Sequence, residues 1–273
     1  MKRMVISYSL DEVEPYINWL YFFHAWQMSR KTEKERKELK DDADNLLHEF
    51  AEKYRTHAVV VVRGANTDGD DIVLDDNTRL PMLRQQLPDN DGVCWCLADF
   101  VRPMEDGVSD RIGIFAATVE PLMEKEYAGD PYMRMLSQTL ADRLAEATAE
   151  RLHEQVRKSI WGYAPDECLT IEEMHMEKYQ GIRPAVGYPS LPDTSINFIL
   201  NQVLSMGDIG IRLTENGAMQ PHGSVSGLMI AHPDAAYFNL GKIGHDQLAD
   251  YARRRGIPIE MARKFLATSL MNR

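Results

Sequence analysis

Between Gly181 and Ser190 the chain reads Gly-Ile-Arg-Pro-Ala-Val-Gly-Tyr-Pro-Ser, which places a guanidinium, a phenol and two glycines among prolines. Pro184 and Pro189 fix their own φ and bias the residue before each toward extended backbone, so the loop is expected to be stiff before any ligand arrives. A stiff loop loses little entropy on binding. One arginine with exposed backbone groups suits a small polar ligand, although a Pro-rich connection between elements has the same composition. Arg183 offers a planar fork of donors that matches a carboxylate, or it ties the loop to a carbonyl. Gly187 lets backbone approach a flat molecule closely, and Tyr188 follows it as a contact or as a core tyrosine. Further on, Tyr237 and Phe238 form an aromatic pair. An aromatic face attracts a cation, but a strand alternating between core and surface gives the same pattern.

Other arrangements are excluded. His222 and Ser224 are close in sequence, but there is no G-x-S-x-G elbow and no aspartate in triad order. The eight histidines form no H-E-x-x-H pattern. Cys94 and Cys96 lack a second pair at metal spacing, and the odd count of three cysteines implies free thiols.

Elements must position these groups. Asp11 with Glu14 at capping-box spacing starts an expected aromatic-rich helix over 10–28. A charged helix follows over 32–56. Strands are expected at 58–62, 72–74, 94–101, 111–119, 209–213, 224–231 and 236–243. The longest periodic stretch is 131–160, with Met133, Leu136, Leu140, Leu144, Thr148 and Leu152 on one stripe. By that count Glu146 falls on the opposite, polar side with Asp142, Glu150 and His153, where a solvated residue is expected. Shorter helices are expected at 171–178, 195–205, 245–255 and 259–268. Strands in two patches separated by helices, without β-α-β alternation, predict an α+β fold with a mainly antiparallel sheet. No linker or repeat divides the chain, so one domain over 1–273 is expected.

Composition narrows the function. Apolar content of 44% is ordinary for a globular protein. A formal net charge of −11 argues against a nucleic-acid partner, which needs a basic surface. No apolar run approaches the roughly 18–20 residues of a membrane span, and Met1–Val5 begins no signal peptide, so a cytoplasmic location is expected.

The motifs together resemble the activation domain of cobalamin-dependent methionine synthase, the S-adenosylmethionine-binding C-terminal module of that enzyme. The 181–190 block is followed in order by Leu213-Thr-Glu215, Ala218-Met219, Ser224-Val-Ser-Gly227, His232-Pro233 and Tyr237-Phe238. Tyr16-Ile-Asn-Trp19 with Phe22-Phe23, Cys96–Val101, Asp142–Ala147 and Trp161–Pro165 also match. The resemblance runs from about residue 8 to residue 268. It implies a single C-shaped domain with a twisted, mainly antiparallel sheet flanked by helices. It implies S-adenosylmethionine contacts at Asn18, Glu146, Arg183, Ala185 (through its backbone), Tyr237 and Phe238, with Tyr188 beside the corrin. Glu215 and Met219 would belong to the cleft wall.

The chain departs from the family at Val186, where a middle proline is replaced, and at Asn18, where the family has a ligand-supporting aspartate. It lacks the D-x-H-x-x-G signature of cobalamin-binding modules. The resemblance therefore implies action on cobalamin carried by a partner: a cobalamin-binding methionine synthase lacking its own activation domain, reactivated with an electron from a flavodoxin-like donor. A local basic patch at Arg253–Arg255, Arg157 and Lys158 is expected to receive that donor. The alternative is a non-catalytic docking module for a corrinoid protein that no longer uses S-adenosylmethionine.

Overall fold

The computed structural model describes residues 2–88 and 92–271; the remainder of the expected 1–273 domain lies outside the described residues. The centre is a six-stranded, wholly antiparallel sheet. β1 (Met4–Ser9) leads into the short α1 (Leu10–Val13) and α2 (Trp19–Ala25), then α3 (Glu33–Lys53). β2 (Arg55–Asp68), β3 (Asp71–Leu74), β4 (Arg79–Pro81) and β5 (Asp110–Val119) follow, then α4 (Pro131–Gln155), which ends in a π-helical turn, Val156–Ile160. The chain continues through α5 (Ile171–His175), α6 (Ile196–Leu204), β6 (Arg212–Leu213), β7 (Met219–Gln220), β8 (Ser224–Met229), α7 (His245–Arg255) and α8 (Ile259–Phe265). The large sheet runs β4-β3-β2-β5-β8, with β1 also paired to β2, and β6-β7 form a separate hairpin.

β2 is the axis. It pairs with β5 from Thr56↔Val119 to Ala65↔Asp110. Its valines alternate between two cores, as a strand buried on both faces must. Val60, with Ala58, Phe115 and Ala117, faces α3 and α4. Val59 and Val61, with Ile114 and Ala116, face α6 and the 182–191 loop. A third, smaller core joins α7 and α8 through Leu248, Tyr251, Ala262 and Leu266. Local signals start the long helices. Thr32 and Glu35 form a capping box for α3. Asp130 accepts from the N–H groups of Tyr132 and Met133 at 3.0 and 3.1 Å, and Pro131 opens α4.

Several expectations are corrected. The 10–28 helix is broken: its first turn is capped by Ser9 with Glu12 rather than Asp11 with Glu14. Glu14–Tyr16 form a 3-10 turn around Pro15, which supplies no backbone donor, and Asn18 starts α2 afresh. The 94–101 segment keeps one bridge, Arg84↔Cys96, before a 3-10 turn over Leu97–Phe100. No strand covers 236–243, whose backbone is irregular apart from the Ile243↔Leu270 bridge. In those two segments β-prone side chains face packed neighbours without a ladder partner. β1, β4 and β7 were not expected, and of the 209–213 strand only Arg212–Leu213 forms, after a 3-10 turn over Met206–Ile209. Among the described residues, no helix is long and apolar enough to cross a membrane.

The 181–191 loop is fastened to β8 by bridges Ile182↔Ile230 and Ala185↔Gly227. Two glycines make this approach possible. A Cβ on Gly181, at φ +83°, or on Gly227 would lie 2.2 Å from a carbonyl oxygen of the facing backbone. No side chain fits at either position.

Candidate functional site

A cavity of about 510 Å³ opens between α4, the 183–190 loop, the end of α5 and the 237–239 segment, with Tyr16, Asn18 and Tyr21 closing another side. Its size is ordinary for a small-molecule pocket, roughly 300–1,000 Å³. Asn18, Glu146, Arg183, Ala185, Tyr188, Tyr237 and Phe238 all line it. Residues separated by up to 220 positions thus meet at one place.

Arg183 is buried at the inner wall. Its Nη2 donates to Glu150 Oε2 at 2.8 Å, and Nη1 lies 3.9 Å from Glu146 Oε2. Burial alone lowers the guanidinium's pKa, but Glu150, Tyr237, Glu146 and Tyr179 together more than offset it, so the arginine stays charged. The backbone N–H of Arg183 donates to Tyr237 Oη at 2.8 Å. The fork expected to grip a carboxylate is therefore turned toward α4. Tyr188 is half exposed at the mouth and donates to Glu146 Oε1 at 2.7 Å. Burial, and then Glu146, push its phenol pKa up. Ala185 closes a turn, its carbonyl accepting from the Tyr188 N–H at 3.2 Å. Tyr237 is 38% exposed, whereas Phe238 is nearly buried in the core beneath the loop. Asn18 Oδ1 accepts from the Leu20 N–H at 3.1 Å, so this side chain already caps α2.

Residues 9–256 match the sequence profile of the family described as vitamin B12 dependent methionine synthase, activation domain. The chain belongs to that family. Over its full length it superposes, with a TM-score of 0.93 and 36% sequence identity, on 91% of the chain in the crystal structure of the MetH reactivation domain bound to AdoHcy.

The activation-domain fold explains what periodicity misplaced on α4. Glu150 is 8% exposed and His153 wholly buried, not solvated. The Leu stripe meets the sheet, but the 171–183 segment covers the opposite side of the helix, and a single hydrophobic stripe gives no sign of it. Glu150 is the main residue missed; it lies one turn beyond Glu146, and that i, i+4 spacing was its available signal. Glu177 and Tyr179 also line the cavity. His153 sits edge-on to Tyr179 at 4.7 Å, with neither ring nitrogen hydrogen-bonded among the described residues. Burial, and then Arg157 and Arg183, push its pKa well below the usual value, so the imidazole is neutral.

Two further expectations fail. Glu215 and Met219 lie outside the cavity lining, on the turn and strand of the β6-β7 hairpin. The basic patch is largely absent: Arg253 stays exposed beside Asp250 and Lys158 partly exposed beside Glu154, but Arg157 is buried against Glu167, Arg254 bonds Asp71 and Asp250, and Arg255 bonds Ser195. The last three arginines hold the fold. Among the described residues, no group of three or more His, Cys, Asp or Glu gathers as a metal site. Cys96 is buried and its thiol pKa is pushed up to about 12, first by that burial, so it is inert.

Proposed function

We propose that this chain binds S-adenosylmethionine in the α4 cavity and presents its methyl group to cobalamin carried by a partner methionine synthase that lacks an activation domain. One observation carries the reading: in a member of this family, Asn18, Glu146, Arg183, Ala185, Tyr188, Tyr237 and Phe238, named from sequence, line a single cavity of suitable size. AdoHcy, held by the similar reactivation domain, is what S-adenosylmethionine becomes when its methyl group leaves.

The residues divide the work. Glu146 and Glu150 place negative charge where a cationic ligand arrives, and Arg183 keeps both oriented. The faces of Tyr237 and Phe238 suit a sulfonium. Tyr188 at the mouth is placed to meet the incoming partner. One electron from a flavodoxin-like donor reduces cob(II)alamin to cob(I)alamin. The carbon–sulfur bond then breaks, its electron pair stays on sulfur, and the methyl carbon bonds to cobalt. No proton moves, so the chain contributes positioning rather than acid–base chemistry.

Calorimetry with S-adenosylmethionine tests the ligand. Saturable binding is expected, weakened about tenfold or more in Arg183→Lys, because an ammonium cannot hold two carboxylates as a guanidinium does. Mixing the chain with a cob(II)alamin-loaded partner, a reductant and S-adenosylmethionine should then yield the methylcobalamin spectrum. A second reading, a docking module without this ligand, is favoured by one observation: Asn18 has no charge to offer and is engaged as a helix cap. Absence of calorimetric binding by the wild type would establish it.

A further inference from the structure

A second cavity, of about 370 Å³, lies where two strands part. The β5-β8 ladder ends at Gly113↔Met229, and Pro233, soon after, has no N–H to continue it. Arg111 of β5, His232 just past β8 and the segment 99–103 line the opening. It shares no lining residue with the α4 cavity.

Its carboxylates are occupied and its cations are not. Asp99 is bound by both terminal nitrogens of Arg84, at 2.8 and 2.6 Å. Asp110 accepts the backbone N–H groups of Arg102 and Arg111, at 3.0 and 2.8 Å, and so fixes where both arginines leave the chain. The Arg102 carbonyl accepts in turn from the Thr67 N–H at 2.9 Å and from Asn66 Nδ2 at 3.1 Å. Yet the side chains of Arg102 and Arg111 are exposed and have no hydrogen bond or ion pair among the described residues. His232 adds a third donor. Its Nδ1 accepts from the Asp234 N–H at 3.2 Å, so the neutral ring carries its proton on Nε2. One wall is apolar: Phe100 is buried, stacks on Trp95 at 5.4 Å and meets the His232 ring at 6.2 Å.

Each guanidinium is a two-pronged fork suited to an oxyanion. A carboxylate has two oxygens and is satisfied by one fork. Two forks and an imidazole N–H match the three free oxygens of a phosphate ester. We propose that this cavity binds a small organic phosphate monoester, its phosphate on Arg102, Arg111 and His232 and its apolar body against Phe100. The chain as a whole, at a net charge of −11, repels phosphates, so the affinity comes from these local donors. The site stands independently of the S-adenosylmethionine reading.

Phenyl phosphate, inorganic phosphate and benzoate test it, each titrated into the isotope-labelled full chain and followed by NMR. Phenyl phosphate should shift the N–H signals of Arg102, Arg111 and His232 saturably, with the other two probes each about fivefold weaker or more. Arg102→Ala and Arg111→Ala should each weaken phenyl phosphate about tenfold or more, because a hydrogen bond between charged groups is lost. Both side chains are exposed, so the fold should stand. Arg111→Lys, which keeps the charge without the fork, should fall between. Shifts confined to other residues, no saturable shift, or unchanged affinity in both alanine variants overturns the proposal. Benzoate binding as tightly as phenyl phosphate overturns the choice of phosphate, and inorganic phosphate doing so overturns the apolar body.

Discussion

Two arginines are buried beside α4, and they differ in what lies behind them. Arg157, in the π-helical turn, is wholly inaccessible and forms a two-pronged pair with Glu167, Nε and Nη2 each 2.7 Å from a carboxylate oxygen. Its guanidinium stacks 4.3 Å above the Tyr179 ring. Arg183 makes a single 2.8 Å bond to Glu150, has a second carboxylate at 3.9 Å, and lines the cavity. Tyr179 stands between them, its ring against Arg157 and its hydroxyl 3.4 Å from Tyr237 Oη, which accepts from the Arg183 N–H. A closed pair of the first kind fixes backbone. A pair with one open side can exchange partners when a charged ligand enters.

Removing each carboxylate's charge tests that distinction most strongly. In Glu167→Gln the Arg157 charge is left buried without a counter-ion, and a loss of about 3–5 kcal/mol is expected. In Glu150→Gln the cost should be about 1–3 kcal/mol, because Glu146 and cavity water can still meet Arg183. Urea unfolding of the two variants measures both. Ligand affinity should move the other way, nearly unchanged for Glu167→Gln and clearly reduced for Glu150→Gln. Equal stability losses would dissolve the comparison.

The contrast also shows what could be read from the chain. The Gly181–Ser190 block and the Tyr237-Phe238 pair announced themselves by composition, and both line the cavity. The axis of the sheet was legible because Ala58–Val62 and 111–119 are dense in β-branched residues. Neither buried ion pair was legible. Glu150 and Arg157 are charged residues on a helix, and only the chain returning over 163–183 removes them from water. Burial on a second helix face comes from tertiary structure and leaves no period. The irregular 236–243 segment failed for a related reason: Phe238, Leu240 and Ile243 are packed, but no neighbouring strand accepts its backbone.

His153 lies on the same face of α4 as both arginines, and acid should expose the difference between the pairs. Its folded pKa is depressed, whereas in the unfolded chain it is about 6.5. Between those values the unfolded state binds the extra proton, so stability falls as pH drops below about 6.5. The slope attributable to this residue approaches about 1.4 kcal/mol per pH unit. Other groups titrate as well, so the measurement is the difference between wild type and His153→Leu in urea unfolding at pH 7 and pH 5. The variant should lose less stability over that interval. Identical slopes would mean that the imidazole is not excluded from water.

Asn18 gives the finest test, because it touches only the open side. A carboxylate at this position would keep the cap on the Leu20 N–H, since aspartate serves as an N-cap as well as asparagine does. Stability should therefore change little in Asn18→Asp. The added charge faces the cavity that Glu146, Glu150 and Glu177 also line. A charge-assisted hydrogen bond is worth roughly 1.5–3 kcal/mol against about 1 for a neutral one, so S-adenosylmethionine affinity should rise by up to about tenfold. If repulsion from the existing carboxylates dominates, affinity will stay level or fall, and the cavity already holds as much negative charge as the ligand can use. In that case the Glu177→Gln background should restore the gain, because it removes one competing charge while leaving the cap and the open arginine pair in place.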